Sequence, residues 1–145
     1  METFIHKITH KSLSECSEHL DNLIIDKNKI TFNNENYQRH LIYANNDYAI
    51  FVISWSAGQS VSYHSHSSNG CLFRLISGMM QETRLLKNDK EEEIILIPES
   101  GSRYIDNSIA IHKILALEDS ISLHVYSPAH EAMKRPFIDL RSVNN

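Results

Sequence analysis

The sequence has few cysteines, no excess of basic residues and no long apolar run. Its two cysteines, Cys16 and Cys71, are too few for a disulfide scaffold and fit a reducing compartment. Acidic residues outnumber basic ones by 18 to 14, which argues against a nucleic-acid-binding protein. The longest run without a polar group, residues 49–53, is far too short to span a bilayer, so we expect no membrane association.

The N-terminus and the overall composition are typical of a folded protein of the cell interior. Residues 1–7 contain no basic stretch followed by an apolar block, so we expect no signal peptide and a cytoplasmic location. With 145 residues, of which 41% are hydrophobic, the chain fits one compact domain over residues 1–145. We expect this domain to act as a monomer.

The residue pattern predicts a short helical segment followed by an all-β domain. Apolar residues at three- and four-residue steps predict an amphipathic helix over residues 12–25. Short β-rich segments separated by turn residues then indicate a β-sandwich or small barrel over residues 37–128, followed by a tail over residues 129–145. The predicted strands are residues 41–44, 48–55, 61–66, 71–76, 79–86, 93–97, 102–105, 111–117 and 121–126.

Nine histidines are unusual for this length, and three of them are spaced as metal ligands could be. His64 and His66 are one residue apart in a predicted strand, where alternate side chains project to the same face. His112 opens another apolar strand, which a barrel can bring beside the first. Three neutral imidazoles on one face would leave half of an octahedral coordination sphere open, as in non-haem Fe(II) oxygenases.

Taken singly, the other polar candidates have simpler interpretations. Arg39 alone is typical of a surface salt bridge, and Cys71 alone is typical of a buried free thiol. Ser122, His124 and Tyr126 alternate with apolar residues, which ordinarily indicates a solvent face opposite a core face. Inside a small barrel, that polar face would instead line the cavity and offer a Ser–His–Tyr relay.

Several spaced motifs resemble the cysteine dioxygenase family of the cupin superfamily. Gly58, His64, His66 and Gly78 are similar to the first cupin motif, and Cys71 stands where that motif has a ligand glutamate. The other matching segments are Tyr37-Gln38-Arg39, Trp55, residues 104–109 before His112, and Ser122-Leu123-His124-Val125-Tyr126-Ser127-Pro128. The last of these is the most specific, and the resemblance spans residues 37–128.

The resemblance implies a fold, a metal and a reaction. The fold would be a cupin-type small β-barrel or jelly roll with the short helical segment at its N-terminus. The metal would be a single Fe(II) ion held by His64, His66 and His112. The reaction would be oxidation of L-cysteine to cysteine sulfinate, with O2 as co-substrate and a small-molecule thiol as the partner.

The resemblance also implies roles for residues around the iron. Arg39, beside Tyr37, would bind the substrate carboxylate as a bidentate pair. Tyr126 would place its hydroxyl near the iron, with His124 and Ser122 orienting it. In animal-type relatives a thioether joins the residues that match Cys71 and Tyr126, whereas bacterial-type relatives often have glycine at the cysteine position. Both the crosslink and a free thiol therefore remain open.

Two alternative functions are compatible with the same motifs. A 3-mercaptopropionate dioxygenase would share the chemistry, although those enzymes typically have glutamine at the position of Arg39. A non-catalytic metal-binding cupin that senses small molecules would need the histidines but not Tyr126.

Overall fold

The computed structural model describes residues 1–141, which consist mainly of β-strands. The helical elements are α1 (Glu2–Ile8), a 3-10 turn (Leu13–Glu15), α2 (Ser17–Asp21), a second 3-10 turn (Pro98–Ser100) and α3 (Ala129–Ala132). The strands are β1 (Gln38–Ala44), β2 (Ala49–Trp55), β3 (Ser60–His64), β4 (Cys71–Ser77), β5 (Met80–Leu86), β6 (Glu91–Leu96), β7 (Arg103–Ile105), β8 (Ala110–Ala116), β9 (Ser120–Tyr126) and β10 (Ile138–Asp139). The predicted all-β domain is therefore confirmed, and most predicted strands lie within two residues of the observed ones.

The strands form two sheets that enclose an apolar core. One sheet has the order β10-β1-β2-β9-β4-β7, and the other has the order β3-β8-β5-β6. Within residues 1–141 the pairings are antiparallel, apart from the parallel pair of β1 and β10. Phe51, Phe73 and Ile114 belong to the cluster between the sheets. The two sheets are separate rather than closed into one cylinder, so the architecture is a jelly-roll sandwich.

The six-stranded sheet is buried on both faces. Phe51 on β2 points into the cluster between the sheets, whereas Ile50 and Val52 point into a second cluster on the outer face. That outer cluster is completed by Ile8 and Leu20 from the N-terminal segment. A strand covered on both faces needs apolar side chains at every position, which explains the uninterrupted apolar run in β2.

The N-terminal helical segment differs from the prediction. The helix expected over residues 12–25 is reduced to the 3-10 turn Leu13–Glu15 and the helix α2, while α1 precedes them. Several serines interrupt this stretch, and serine competes with helical hydrogen bonding through its own side chain. Although the helix is interrupted, Leu13, Cys16 and Leu20 still pack against the outer face of the six-stranded sheet. The apolar face that their spacing predicted is therefore buried.

The C-terminal segment packs against the six-stranded sheet. Helix α3 follows β9, and β10 then pairs with β1. The backbone N–H of Leu140 donates to the carbonyl of Leu41 at 2.9 Å. The described part of the predicted tail thus wraps the sandwich, and residues 142–145 lie outside the described residues. No helix within residues 1–141 has both the length and the apolar character required to cross a bilayer.

Candidate metal centre and substrate cavity

A bulge in β3 brings His64 onto the inner face of the four-stranded sheet. The register shifts by one residue between the Val61 pair and the His64–His112 pair, so β3 carries one extra residue there. Regular alternation would place His64 on the face opposite to Val61, and the extra residue reverses that placement. Tyr63 consequently points outward, with its ring 5.0 Å from the ammonium of Lys113.

His66 lies beyond the end of β3, so the prediction that residues 61–66 form one strand is wrong at its end. The side chain of Asn107 holds the backbone of this loop. The N–H of His66 donates to Oδ1 of Asn107 at 2.8 Å, and Nδ2 of Asn107 donates to the carbonyl of His66 at 3.0 Å. A side-chain amide clamp, rather than strand alternation, therefore positions the second histidine.

His64, His66 and His112, hereafter the three-histidine cluster, converge on one point. Their ligand atoms lie within 4.8 Å of one another, and the Nε2 atoms of His66 and His112 are 3.0 Å apart. Two nitrogens bound at right angles to one metal, each at about 2.1 Å, would be about 3 Å apart. Nδ1 of His64 donates to the carbonyl of Ser62 at 2.8 Å, which leaves Nε2 without a proton. The cluster therefore fits a metal ion that accepts imidazole ligands, as Fe(II) does.

Burial keeps the rings of His64 and His66 in the neutral form that binds metals. It lowers the pKa of His64 to about 4 and the pKa of His66 to about 2, and the neighbouring His112 adds to both shifts. Nδ1 of His66 is buried and lacks a hydrogen-bond partner within residues 1–141. The opposite ring atom, Nε2 of His66, faces Nε2 of His112 at the centre, and a cation there would be the natural partner of these uncharged nitrogens.

A buried carboxylate lies behind His112. Glu82 on β5 is fully buried, and its Oε2 accepts hydrogen bonds from Nδ1 of His112 at 2.7 Å and from Nε of Arg84 at 3.0 Å. Its Oε1 accepts a hydrogen bond from Nε of Arg103 at 2.7 Å. Burial by itself would raise the pKa of Glu82, but the hydrogen bond from His112 and the charges of the arginines lower it to about 2.

Regular alternation along β9 places Ser122, His124 and Tyr126 on the inner face. Of this predicted polar row, His124 and Tyr126 line the cavity described below, and Ser122 contacts His124. Nε1 of Trp55 donates to Oγ of Ser122 at 3.0 Å, and that oxygen lies 2.7 Å from Nε2 of His124. Nδ1 of His124 lies 3.4 Å from the hydroxyl of Tyr126. These four residues, hereafter the β9 network, form one hydrogen-bonded chain. Burial lowers the pKa of His124 to about 3, so its ring is neutral.

Cys71 lies directly opposite Tyr126 in the register of β4 and β9. Cys71 is a free, buried thiol, and its Sγ is 3.9 Å from Nδ1 of His124. Burial raises the pKa of both the Cys71 thiol and the Tyr126 phenol, so both groups are protonated at neutral pH. The two candidate crosslink partners are neighbours, and the thioether itself remains a prediction.

Arg39 is buried rather than part of a surface salt bridge. Its Nη2 donates to the carbonyl of Ala132 at 2.7 Å, and its Nη1 donates to the carbonyl of Arg135 at 3.3 Å. The guanidinium also lies 4.1 Å from the ring centroid of Phe51. Arg39 is therefore tied to the C-terminal segment, and its predicted role as a carboxylate clamp remains a prediction.

A narrow cavity of about 30 Å³ connects the predicted site residues. Its walls include the three-histidine cluster, Arg39, Cys71, His124 and Tyr126. Tyr37 and Trp55 form part of the same lining, and their rings stack with centroids 4.6 Å apart. A larger pocket of about 250 Å³ lies beside this cavity, and Arg39, Tyr126, His64 and His66 line both.

The family model described as cysteine dioxygenase type I matches residues 7–137. The chain belongs to the cysteine dioxygenase type I family. The match extends beyond the motif-bearing span of residues 37–128 and includes α2 and α3. The resemblance identified from the sequence motifs is therefore confirmed.

Solved structures of distant proteins share the fold of this cysteine dioxygenase family member. The protein TT1209 from Thermus thermophilus matches with a TM-score of 0.60 at 18% identity, over 73% of this chain and 97% of that chain. A cupin superfamily protein from Desulfitobacterium hafniense gives 0.57 at 18% identity, over 68% and 83%. KdgF from Halomonas sp. gives 0.57 at 16% identity, over 76% and 96%. These likenesses confirm the cupin jelly roll.

Sequence reasoning missed three residues that support the cluster in this family member. Glu82 and Arg84 lie on the same face of the predicted strand 79–86 as the apolar Met80. Two opposite charges on an inward face could have indicated a buried ion pair. Asn107 lies in a turn and reaches His66 across 41 residues, and nothing in its local sequence indicates that contact.

Proposed function

We propose that the protein is a thiol dioxygenase that uses Fe(II) and O2 to oxidise L-cysteine to cysteine sulfinate. The observation that carries the proposal is the three-histidine cluster at a cavity that Arg39 and Tyr126 also line. Membership of the cysteine dioxygenase type I family supports the same reaction class. In the reaction the sulfur is oxidised, O2 is reduced, both oxygen atoms remain on sulfur, and the thiol proton is released.

The protein residues would bind and orient the thiol. Bound Fe(II) would supply the redox chemistry that joins O2 to the substrate sulfur. Arg39 would donate two N–H bonds to the substrate carboxylate, a geometry that suits a planar guanidinium. Because its Nη atoms now donate to the carbonyls of Ala132 and Arg135, substrate binding would redistribute these contacts in the C-terminal segment. Tyr126, which burial keeps protonated, would donate its O–H to the reacting thiol, with the β9 network fixing its position.

Thiol-dependent oxygen consumption tests this proposal. Fe(II)-loaded protein should consume O2 when L-cysteine is added, and labelled O2 should place both oxygen atoms in the sulfinate. His112→Ala should abolish this reaction, whereas the matched variant His130→Ala, at an exposed position of α3, should retain it. Absence of thiol-dependent uptake in iron-loaded protein would contradict the proposal and favour a non-catalytic metal-binding cupin sensor.

A comparison of two thiols tests the substrate. L-cysteine carries both a carboxylate and an amine, whereas 3-mercaptopropionate carries only the carboxylate. We expect the larger kcat/KM for L-cysteine, since Arg39 is the residue that distinguishes the cysteine enzymes in the motif comparison. A larger kcat/KM for 3-mercaptopropionate would assign the protein to the alternative dioxygenase reaction.

We further propose that a thioether forms between Sγ of Cys71 and the ring of Tyr126. The new C–S bond replaces one S–H and one C–H bond, and O2 is the oxidant that takes up the two hydrogens. The direct pairing of the two residues across β4 and β9 supports this step. Peptide mass mapping after repeated turnover should reveal the crosslinked pair, and recovery of both peptides in unmodified form would contradict it.

We also propose that the protein works as a cytoplasmic, single-domain monomer whose partner is a small thiol. The free, buried state of both cysteines supports a reducing compartment. Cell fractionation and light scattering after gel filtration test location and oligomeric state, and a stable dimer would contradict the proposal. One cooperative unfolding transition over residues 1–145 would support the single domain.

A further inference from the structure

Glu82 is placed to control the ring of His112 from behind. It lies on the inner face of β5, fully buried, and it accepts three N–H hydrogen bonds. His112 and Arg84 share Oε2, while Arg103 occupies Oε1. The carboxylate thus contacts Nδ1 of His112, on the opposite side of the ring from the Nε2 atom that faces His66.

The two arginines determine the direction of the hydrogen bond between His112 and Glu82. A guanidinium has only donors, so both oxygens of Glu82 act as acceptors toward Arg84 and Arg103. Nδ1 of His112 must then carry the proton of the third hydrogen bond. A neutral imidazole with its proton on Nδ1 has an unprotonated Nε2, which is the form able to bind a metal on the cavity side.

The arginines also hold the carboxylate away from the cavity. Arg84 pairs directly with His112 across β5 and β8, and its Nη2 is anchored by the carbonyl of Tyr104 at 3.0 Å. Arg103 lies on β7 of the six-stranded sheet, and its Nε donates to the other carboxylate oxygen of Glu82, Oε1. With both oxygens engaged on this side, Glu82 cannot reach the Nε2 side of His112 without breaking three charged hydrogen bonds.

We propose that Glu82 is a positioning residue for His112. Its carboxylate locks His112 in the Nδ1–H form and stays separated from the metal by the imidazole ring of His112. A carboxylate on the far nitrogen makes an imidazole a stronger metal ligand, and losing such a partner typically weakens metal binding by about 10- to 100-fold. Arg84 and Arg103 keep this charge out of the coordination sphere, so the ligand set remains three neutral imidazoles. The proposal rests on the proposed metal site.

Two variants separate the charge of Glu82 from its hydrogen bond. Glu82→Gln keeps an amide oxygen that can accept from His112 but removes the charge, and the solvent-accessible Arg103 can turn away from the amide NH2. A double variant, Glu82→Leu with Arg84→Met, removes the acceptor together with its buried cation, a replacement that buried ion pairs often tolerate. Glu93→Gln, at an exposed position of the adjacent β6, is the matched control.

The first measurement is the tautomer of His112 in metal-free protein, read by NMR of isotope-labelled histidine nitrogens. Wild-type protein and Glu82→Gln should show the proton on Nδ1, and the double variant should lose this preference. A merely structural role would lower the unfolding free energy without changing the tautomer. A proton on Nε2 of His112 in the wild-type protein would overturn the proposal.

The second measurement is Zn²⁺ affinity, determined by competition with a chromophoric chelator. We expect Kd to rise about 10-fold in Glu82→Gln and about 100-fold in the double variant, with no change in Glu93→Gln. Unchanged Kd values in the folded Glu82 variants would overturn the proposal. His112→Ala distinguishes failure of this inference from failure of the proposed metal site. If His112→Ala loses Zn²⁺ binding while the Glu82 variants bind Zn²⁺ as the wild-type protein does, only this inference is refuted. Unaltered binding in His112→Ala would instead refute the metal site itself.

Discussion

The two sheets contribute to the candidate site in different ways. The six-stranded sheet contributes the β9 network through regular strand alternation, and its outer face is covered by the N-terminal segment. The four-stranded sheet contributes His64 through a bulged strand, and its outer face leaves Ile95 51% and Leu115 37% exposed. The difference teaches that the orienting groups are built into the packed core on a regular strand. Two of the three predicted metal ligands depend instead on irregular backbone, His64 on a bulge and His66 on a loop that Asn107 holds.

The largest expected effect is on stability, at the covered face of the six-stranded sheet. Leu123 is fully buried on the outer side of β9, so Leu123→Ala should lower the unfolding free energy by about 2–5 kcal/mol. Leu115→Ala, on the uncovered face, should change it by less than about 0.5 kcal/mol. Urea unfolding of both variants measures the difference, and similar losses would contradict the contrast between the two sheets.

The next effect is on catalysis, through the end of the β9 network. Tyr126→Phe removes the hydroxyl that we place at the reacting thiol but keeps the ring. It should lower kcat by about 100-fold while KM for L-cysteine changes by less than about threefold. Tyr63→Phe is the matched control, because that hydroxyl points outward and bonds to Glu91. Steady-state oxygen uptake measures both, and an unchanged kcat in Tyr126→Phe would remove the tyrosine from the mechanism.

A smaller effect is expected at the loop that carries His66. Asn107→Ala removes both hydrogen bonds that fix the His66 backbone, so Zn²⁺ should bind about 10-fold more weakly. Asn36→Ala, at an exposed loop position, serves as the control and should not change Kd. Wild-type affinity in Asn107→Ala would show that the loop positions its histidine without the clamp.

The last effect is a pH dependence of stability, to which His40 and His124 of the six-stranded sheet contribute together with His64 and His66 of the cluster. Burial lowers the pKa of His40, and it lowers the pKa of His124 to about 3. The unfolded chain takes up these protons near its ordinary pKa of about 6.5. The stabilising contribution is therefore complete above about pH 6.5 and is lost as pH falls toward 3.

Urea unfolding of metal-free protein between about pH 7.5 and 5 measures this dependence. Each histidine should contribute a loss of at most about 1.4 kcal/mol per pH unit. His40→Gln should flatten the dependence, and His130→Ala, at an exposed position, should leave it unchanged. A profile that is equally steep in His40→Gln would exclude His40 as a source.

Sequence patterns predicted the regular parts of this molecule better than the irregular ones. The strict alternation of Ser122, His124 and Tyr126 was enough to place all three on one face, because β9 is a regular strand. The same rule applied to His64 and His66 expected these two histidines to lie together, and they do, but not because they alternate along one strand. An insertion of one residue in β3 and a loop beyond it, neither visible in the local pattern, bring them together.

The contacts that support the cluster were hidden for a related reason. Strand periodicity could have indicated that Glu82 faces inward, but not that His112 and two arginines would surround it. The clamp by Asn107 depends on chain segments far apart in sequence. Local patterns specify the face on which a side chain lies, whereas such partners are determined by packing between elements.

The most direct test of the account is X-ray absorption spectroscopy of the Fe(II)-loaded protein without substrate. The account predicts three imidazole ligands on one iron in the wild-type protein, and loss of this iron signal in His112→Ala. A spectrum of the wild-type protein that fits no more than two imidazoles, or one that His112→Ala leaves unchanged, would contradict it.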